Sequence, residues 1–210
     1  MKALLFILLL PLLAGEASSA DWQTGDLIFQ ESASGSLGKA IAGVTVSVND
    51  YHFTHVGMVY VKENGEVFVL EATHPVVALT PLADFLCPPS SEYCPQSVVA
   101  RLKPEHRHCI PKAIQEGLKL LGKTYDDAFD MNNEQYYCSE LIYNILLKAN
   151  EGKPVFELNE MTFKAGDTGE FLPEWVEHFR KLGIPIPEGE PGINPGAMSR
   201  SEVIDIIRRQ

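Results

Sequence analysis

The sequence predicts an α+β protein, on three observations. Two β-rich runs, 54–61 and 66–72, flank Asn64-Gly65, a strong short-range hairpin signal. Two amphipathic helical patterns come later: Ala113, Ile114, Leu118 and Leu121 after Pro111, and Leu141, Ile142, Ile145 and Leu146 after Cys138. Strands gathered in a run, with helices segregated from them, favour mixed layers over an alternating parallel sheet.

The elements follow in order. Residues 1–20 carry Lys2, an apolar stretch from Leu4 to Leu13 interrupted by Pro11, and the small residues Ser18-Ser19-Ala20. This reads as a removable secretory leader, too short to span a bilayer. It predicts an exported protein, periplasmic or secreted, with residues 21–210 forming a single domain. About 190 residues are enough for a real core. No later stretch is long and apolar enough for stable membrane insertion. Gly25 precedes a short strand from Asp26 to Phe29. Ser36 is expected to cap a helix reaching Val44, with Ala40, Ile41 and Val44 facing inward. The hairpin comes next, then a helical turn over 81–85 and a strand over 97–102. Pro111 opens a helix expected to stop at Gly122, and Cys138 opens another. Beyond it the sequence reads as loop-rich around Trp175, irregular over 184–197, and closed by a short helix capped by Ser199 or Ser201.

A formal net charge of -11, with no basic stripe, argues against nucleic acid or an anionic membrane as partner. Loss of the leader leaves it unchanged, because Lys2 and Glu16 cancel. Four cysteines are present: Cys87, Cys94, Cys109 and Cys138. Cys87 and Cys94 flank a Pro/Ser-rich loop and can pair in an oxidising compartment, but Cys94 can equally pair with Cys109.

The chemistry concentrates in Tyr136-Tyr137-Cys138-Ser139-Glu140. A thiol at a helix N-terminus feels the positive end of the macrodipole and free backbone N–H groups, which favour thiolate, the nucleophilic form. Such a cysteine needs a base, and the base needs an orienting partner. Of six histidines, His55 is best placed, near the start of the first hairpin strand, with Gly57 beyond it allowing close approach of another backbone. Glu71 ends the apolar run of the partner strand, where packing alone does not explain a carboxylate. A hairpin centred on Asn64-Gly65 gives opposed residue numbers summing to about 129, which sets His55 opposite position 74 with Glu71 diagonal to it. His74 is the rival for the third position, although Pro75 marks it as a strand-end residue. Tyr136 and Tyr137 are candidates to line a substrate pocket, as donors or as core aromatics. His52 and His178 are assigned to the surface or core edge. His106-Arg107-His108-Cys109 lacks a zinc spacing, and Asp126, Asp127 and Asp130 lack the pattern of a calcium loop. No phosphate-binding glycine motif or Gly-x-Ser-x-Gly elbow occurs. No metal or other cofactor is expected.

Four blocks together resemble the circularly permuted NlpC-type papain-like family, the YiiX/YebB-like cysteine hydrolases. They are Gly25-Asp26-Leu27-Ile28-Phe29-Gln30, then Thr54-His55-Val56-Gly57-Met58-Val59, then Leu70-Glu71-Ala72, and finally Leu121-Gly122-Lys123-Thr124-Tyr125-Asp126 leading into the cysteine segment. The histidine precedes the cysteine, as in the permuted group. The resemblance covers about residues 25–148 well and the remainder loosely. It implies a small antiparallel sheet packed against the cysteine helix, with Cys138 as nucleophile, His55 as base and Glu71 as third residue. It also implies acyl transfer through a thioester. The substrate would be a peptide, a cell-wall amide or a lipid-like acyl compound. An apolar pocket beside Cys138 would favour a lipid-like acyl substrate, and a polar cleft would favour peptide. The competing expectation is a non-catalytic binding module, in which Cys138 is structural and His55 lies out of reach.

Overall fold

The computed structural model describes residues 22–31, 35–89 and 91–209; the leader predicted over 1–20 lies outside these. The strands are β1 (Leu27–Glu31), β2 (His55–Val61), β3 (Val67–Ala72), β4 (Val77–Pro81), β5 (Gln96–Leu102), β6 (Asn159–Glu160), β7 (Pro191–Gly192) and β8 (Ile204–Arg209). The helices are α1 (Gly35–Val44), α2 (Leu82–Leu86), α3 (Ile110–Leu118), α4 (Cys138–Ala149), α5 (Pro173–Leu182) and α6 (Pro195–Ser199). Six strands make one antiparallel sheet in the order β4-β3-β2-β1-β5-β8, and β6 pairs with β7 separately. This is the α+β arrangement expected, with the cysteine helix packed on the sheet.

Strand alternation divides the core. Leu27, Phe29, Met58, Leu70 and Ala100 face the main core with α3 and α4, whereas Ile28, Val59, Val69 and Val99 face a smaller cluster closed by Trp22 and Phe85. Gly57 lies on the second face. A Cβ there would fall 2.3 Å from Val69 Cγ1, 3.1 Å from Phe85 and 3.3 Å from the backbone carbonyl of Leu70, so its lack of a side chain admits the neighbouring backbone the sequence suggested and two side chains besides.

The hairpin is one residue longer at its turn than Asn64-Gly65 alone implies. Lys62 and Glu66 close a three-residue loop, with Gly65 at φ +86° and its N–H donating to Lys62 O. Opposed numbers therefore sum to 128, as in Met58↔Leu70. One more pair in that register sets Gly57 opposite Glu71, which puts Glu71 on the same face as His55. A sum of 129 would have turned it to the other face.

Elsewhere the structure corrects the sequence reading. α1 spans Gly35–Val44, so Ser36 lies within its bounds rather than ahead of them. α3 ends at Leu118, short of Gly122, and Leu121 is exposed. The chain leaves the helix because Gly122 N–H donates to Val77 O and Val77 N–H to Lys123 O, tying this segment to β4. Trp175 is on α5, opened by Pro173 and ended by Gly183 in the left-handed region, and is buried with Phe179 one turn on. The chain ends in strand β8 beside β5 rather than in a helix. The short helix before it, α6, is capped by Asn194, whose side chain accepts from Ala197 N–H. Cys87 and Cys94 form a disulfide, while Cys109 is free and buried, its thiol donating to His106 O. No helix among the described residues is long and apolar enough to cross a membrane.

Candidate active site

Three elements converge on Cys138. It is the first residue of α4, following Tyr137 at the cap, and Tyr137 N–H donates to Glu140 Oε2 at 3.2 Å. Helix geometry leaves the first-turn N–H groups without intrahelical acceptors, Cys138's among them. His55 is the first residue of β2, and its ring lies at the strand end, near enough to the Cys138 thiol for the sulfur to favour the imidazolium. Its Nε2 is 2.6 Å from Glu71 Oε2, leaving Nδ1 for the cysteine. The other Glu71 oxygen accepts from the Thr80 hydroxyl. The expected trio is thus brought together, and His74 is not part of it. His74 points to Asp127, 3.4 Å away, and its ring packs on Tyr125.

The electrostatics follow from burial and pairing. Burial opposes charge on His55, but Cys138 and Glu71 outweigh it and push the imidazole up to about 10. Burial likewise opposes charge on Glu71, and the bonds from His55 and Thr80 overcome it and hold the carboxyl below its ordinary range. Glu140 is fully buried and behaves oppositely. Desolvation raises its carboxyl to about 8, with Asp126 and Asp130 adding to the effect.

Two spaces meet at this centre. One is a narrow apolar cavity of about 30 Å³, walled by Ile41, Val44, Phe163, Trp175 and Ile193, with Cys138 on its surface. The other is an open cleft of about 570 Å³ that holds His55, Glu71, Thr80 and Asp84 and is bounded by prolines 88, 89 and 95 around the disulfide. Ile41, Thr54 and Tyr125 border both. Burial raises the Tyr125 phenol well above its usual range, so it stays protonated beside Cys138.

Tyr137 is on the wall of the apolar cavity, and its phenol has a structural task. It accepts from Ile193 N–H at 3.2 Å, and the Ser139 hydroxyl donates to Ile193 O at 2.8 Å. The two neighbours of the cysteine thereby hold one distant peptide unit against the site. Tyr136 is not among the residues lining either space; its backbone bridges Tyr125, and its carbonyl accepts from Asp126 N–H. Sequence reasoning passed over Thr80, Phe163, Ile193 and Tyr125 as site residues. Only Tyr125 had a local signal, standing between Gly122 and the cysteine segment.

A cysteine at a helix start, served by a histidine from an earlier strand of an antiparallel sheet, defines a permuted papain-like protein. The chain belongs to the family described as permuted papain-like amidase enzyme, YaeF/YiiX, C92 family, whose model matches residues 21–207. It is 35% identical over 146 residues to the uncharacterized protein YiiX of Escherichia coli (strain K12), covering 68% of this chain and 67% of that one. It is also similar to a crystal structure described as that of the metalloprotein yiiX from Escherichia coli O157:H7. That match has a TM-score of 0.69 and 26% identity, covering 90% of this chain and 97% of the other. Among the described residues here, no group of three or more His, Cys, Asp or Glu side chains could hold a metal ion. His55 and Glu71 spend their facing atoms on one another.

Proposed function

We propose that this protein hydrolyses an amide through a thioester on Cys138. The observation that carries the reading is the 2.6 Å bond between His55 and Glu71, with the Cys138 thiol at the head of α4 close enough to act on the same ring. Cys138 Sγ, its proton held by His55, attacks the carbonyl carbon, and the resulting oxyanion lies within reach of the Cys138 N–H. The C–N bond breaks as His55 Nδ1 gives its proton to the leaving amine. Water then gives a proton back to His55 and attacks the thioester, the C–S bond breaks, and the acid and thiolate are released. Glu71 fixes the ring and balances the imidazolium throughout.

The apolar cavity favours a second reading at the same site, in which the acyl group is lipid-like and the bond an amide or an ester. The cavity walls are aliphatic and aromatic and would hold hydrocarbon by burial, at about 25 cal/mol per Å², once side-chain movement widens the space beyond its 30 Å³. The polar cleft on the His55 side then receives the leaving group. The predicted leader supports export, and the Cys87–Cys94 disulfide suits an oxidising compartment.

The test is a series of p-nitroanilides and p-nitrophenyl esters with acyl groups from acetyl to dodecanoyl, alongside peptide anilides, followed by intact-mass spectrometry. We expect release of p-nitroaniline and an acyl adduct on Cys138, both absent in Cys138→Ala. Rates rising with chain length support the lipid-like acyl reading, and a preference for peptides removes it. Equal turnover by Cys138→Ala would remove the thioester mechanism.

A further inference from the structure

We infer that Thr80 is a fourth member of the polar row, a positioning residue that fixes Glu71 and through it the His55 ring. The inference rests on the Cys138–His55–Glu71 reading and extends it to the edge strand β4.

Strand register makes the row. Glu71 stands diagonal to His55 across β2 and β3. Val69↔Thr80 and Glu71↔Ala78 place Thr80 diagonal to Glu71 across β3 and β4. Diagonal neighbours in a sheet are within side-chain reach and share a face. His55, Glu71 and Thr80 therefore step across three strands, with Cys138 beyond the near end. Glu71 is 5% exposed, and a carboxylate so buried needs a partner for each oxygen. His55 Nε2 satisfies Oε2, and the Thr80 hydroxyl satisfies Oε1. Held at both ends, the carboxylate can neither rotate away from the imidazole nor turn its second oxygen to water. Each accepted bond also favours the ionised form. Threonine suits the task, because its branched Cβ restricts χ1 and leaves little freedom to lose.

The same stretch of chain supplies a second restraint. α2 follows β4 directly, and Phe85 on it packs against the His55 ring at 5.6 Å between centroids. Gln30, paired with His55 across β1 and β2, anchors that residue by donating from Nε2 to Phe85 O at 2.9 Å. The imidazole is thus oriented by Glu71 and steadied by Phe85, and β4 with α2 stands behind both.

The test is the titration of the His55 ring, followed by ¹H–¹⁵N NMR in the mature protein. The ionisable groups around the ring are Cys138 from α4, Glu71 from β3 and Asp84 from α2, with His74 in the same cleft; the Thr80 variants alter none of them. Thr80→Val removes the hydroxyl at nearly constant shape, and Thr80→Ala is a second variant without it. We expect the His55 midpoint to fall by about one pH unit in both, a tenfold change in proton affinity, and to return in Thr80→Ser. A midpoint unchanged in folded Thr80→Val and Thr80→Ala overturns the role of Thr80 while leaving the trio intact. A wild-type midpoint at the ordinary histidine value, insensitive to Glu71→Gln, overturns the trio and Thr80's role with it.

Discussion

On one side of Cys138 stands the polar row on β2, β3 and β4; on the other lies the apolar cavity walled by α1, α5 and the segment before α6. The row is built by strand register, so neighbours 16 and 9 residues apart meet because period-two alternation puts them on one face. The cavity is built by packing between distant segments: Trp175 donates to Ala40 O across 135 residues, and Ser139 reaches Ile193 across 54. On the proposed function, local geometry would set the chemistry and long-range packing the selectivity. The two should be separable by mutation.

The largest effect is expected in the row. His55→Ala should lower the turnover rate by roughly 10² to 10⁴, the usual contribution of a positioned acid–base group, with thermal stability little changed. A comparable loss of stability would show that the row is structural. Trp175→Ala should do the reverse, costing about 3–5 kcal/mol in denaturant unfolding while Cys138 keeps its reactivity toward a small alkylating agent. Smaller again is Tyr137→Phe, which strips Ile193 N–H of its buried acceptor. We expect about 1–3 kcal/mol of destabilisation and a change in acyl-chain preference larger than the change in Cys138 alkylation.

Glu140→Gln sharpens the comparison through pH. Glu140 keeps its proton in the folded state up to about 8, whereas an unfolded chain releases it near the ordinary value of 4.5. Between these values the folded state binds the extra proton, so stability falls as pH rises through that window. Glutamine removes the penalty. Melting temperatures should show the variant gaining on wild type from pH 5 to pH 8, and parallel curves would contradict the assignment.

The same division explains what the sequence disclosed. The cysteine helix, the hairpin strands and the trio carry strong local patterns: helical spacing after Cys138, a turn dipeptide, a carboxylate closing an apolar strand. The register was off by one because Asn64-Gly65 can close a two-residue or a three-residue loop, and only the Lys62–Glu66 pairing distinguishes them. Leu121 fitted the helical period, yet backbone bonds to β4 drew the chain out of the helix first. β8 hid behind charged residues because it is an edge strand with an exposed outer side. The Trp175 wall was illegible for a different reason: Pro173 and Gly183 bracket α5 visibly, but nothing local tells which cavity Trp175 closes.

The central claim is that His55 activates Cys138. The most direct measurement is the rate of iodoacetamide alkylation of Cys138 against pH, read by peptide mass spectrometry in wild type and His55→Ala. Cys109 serves as an internal reference, since burial pushes its thiol up. Rapid labelling of Cys138 at pH 6, lost in His55→Ala and never shared by Cys109, is the result this account predicts. Slow labelling with a midpoint near the ordinary thiol value of about 8.5, the same in both proteins, would contradict it.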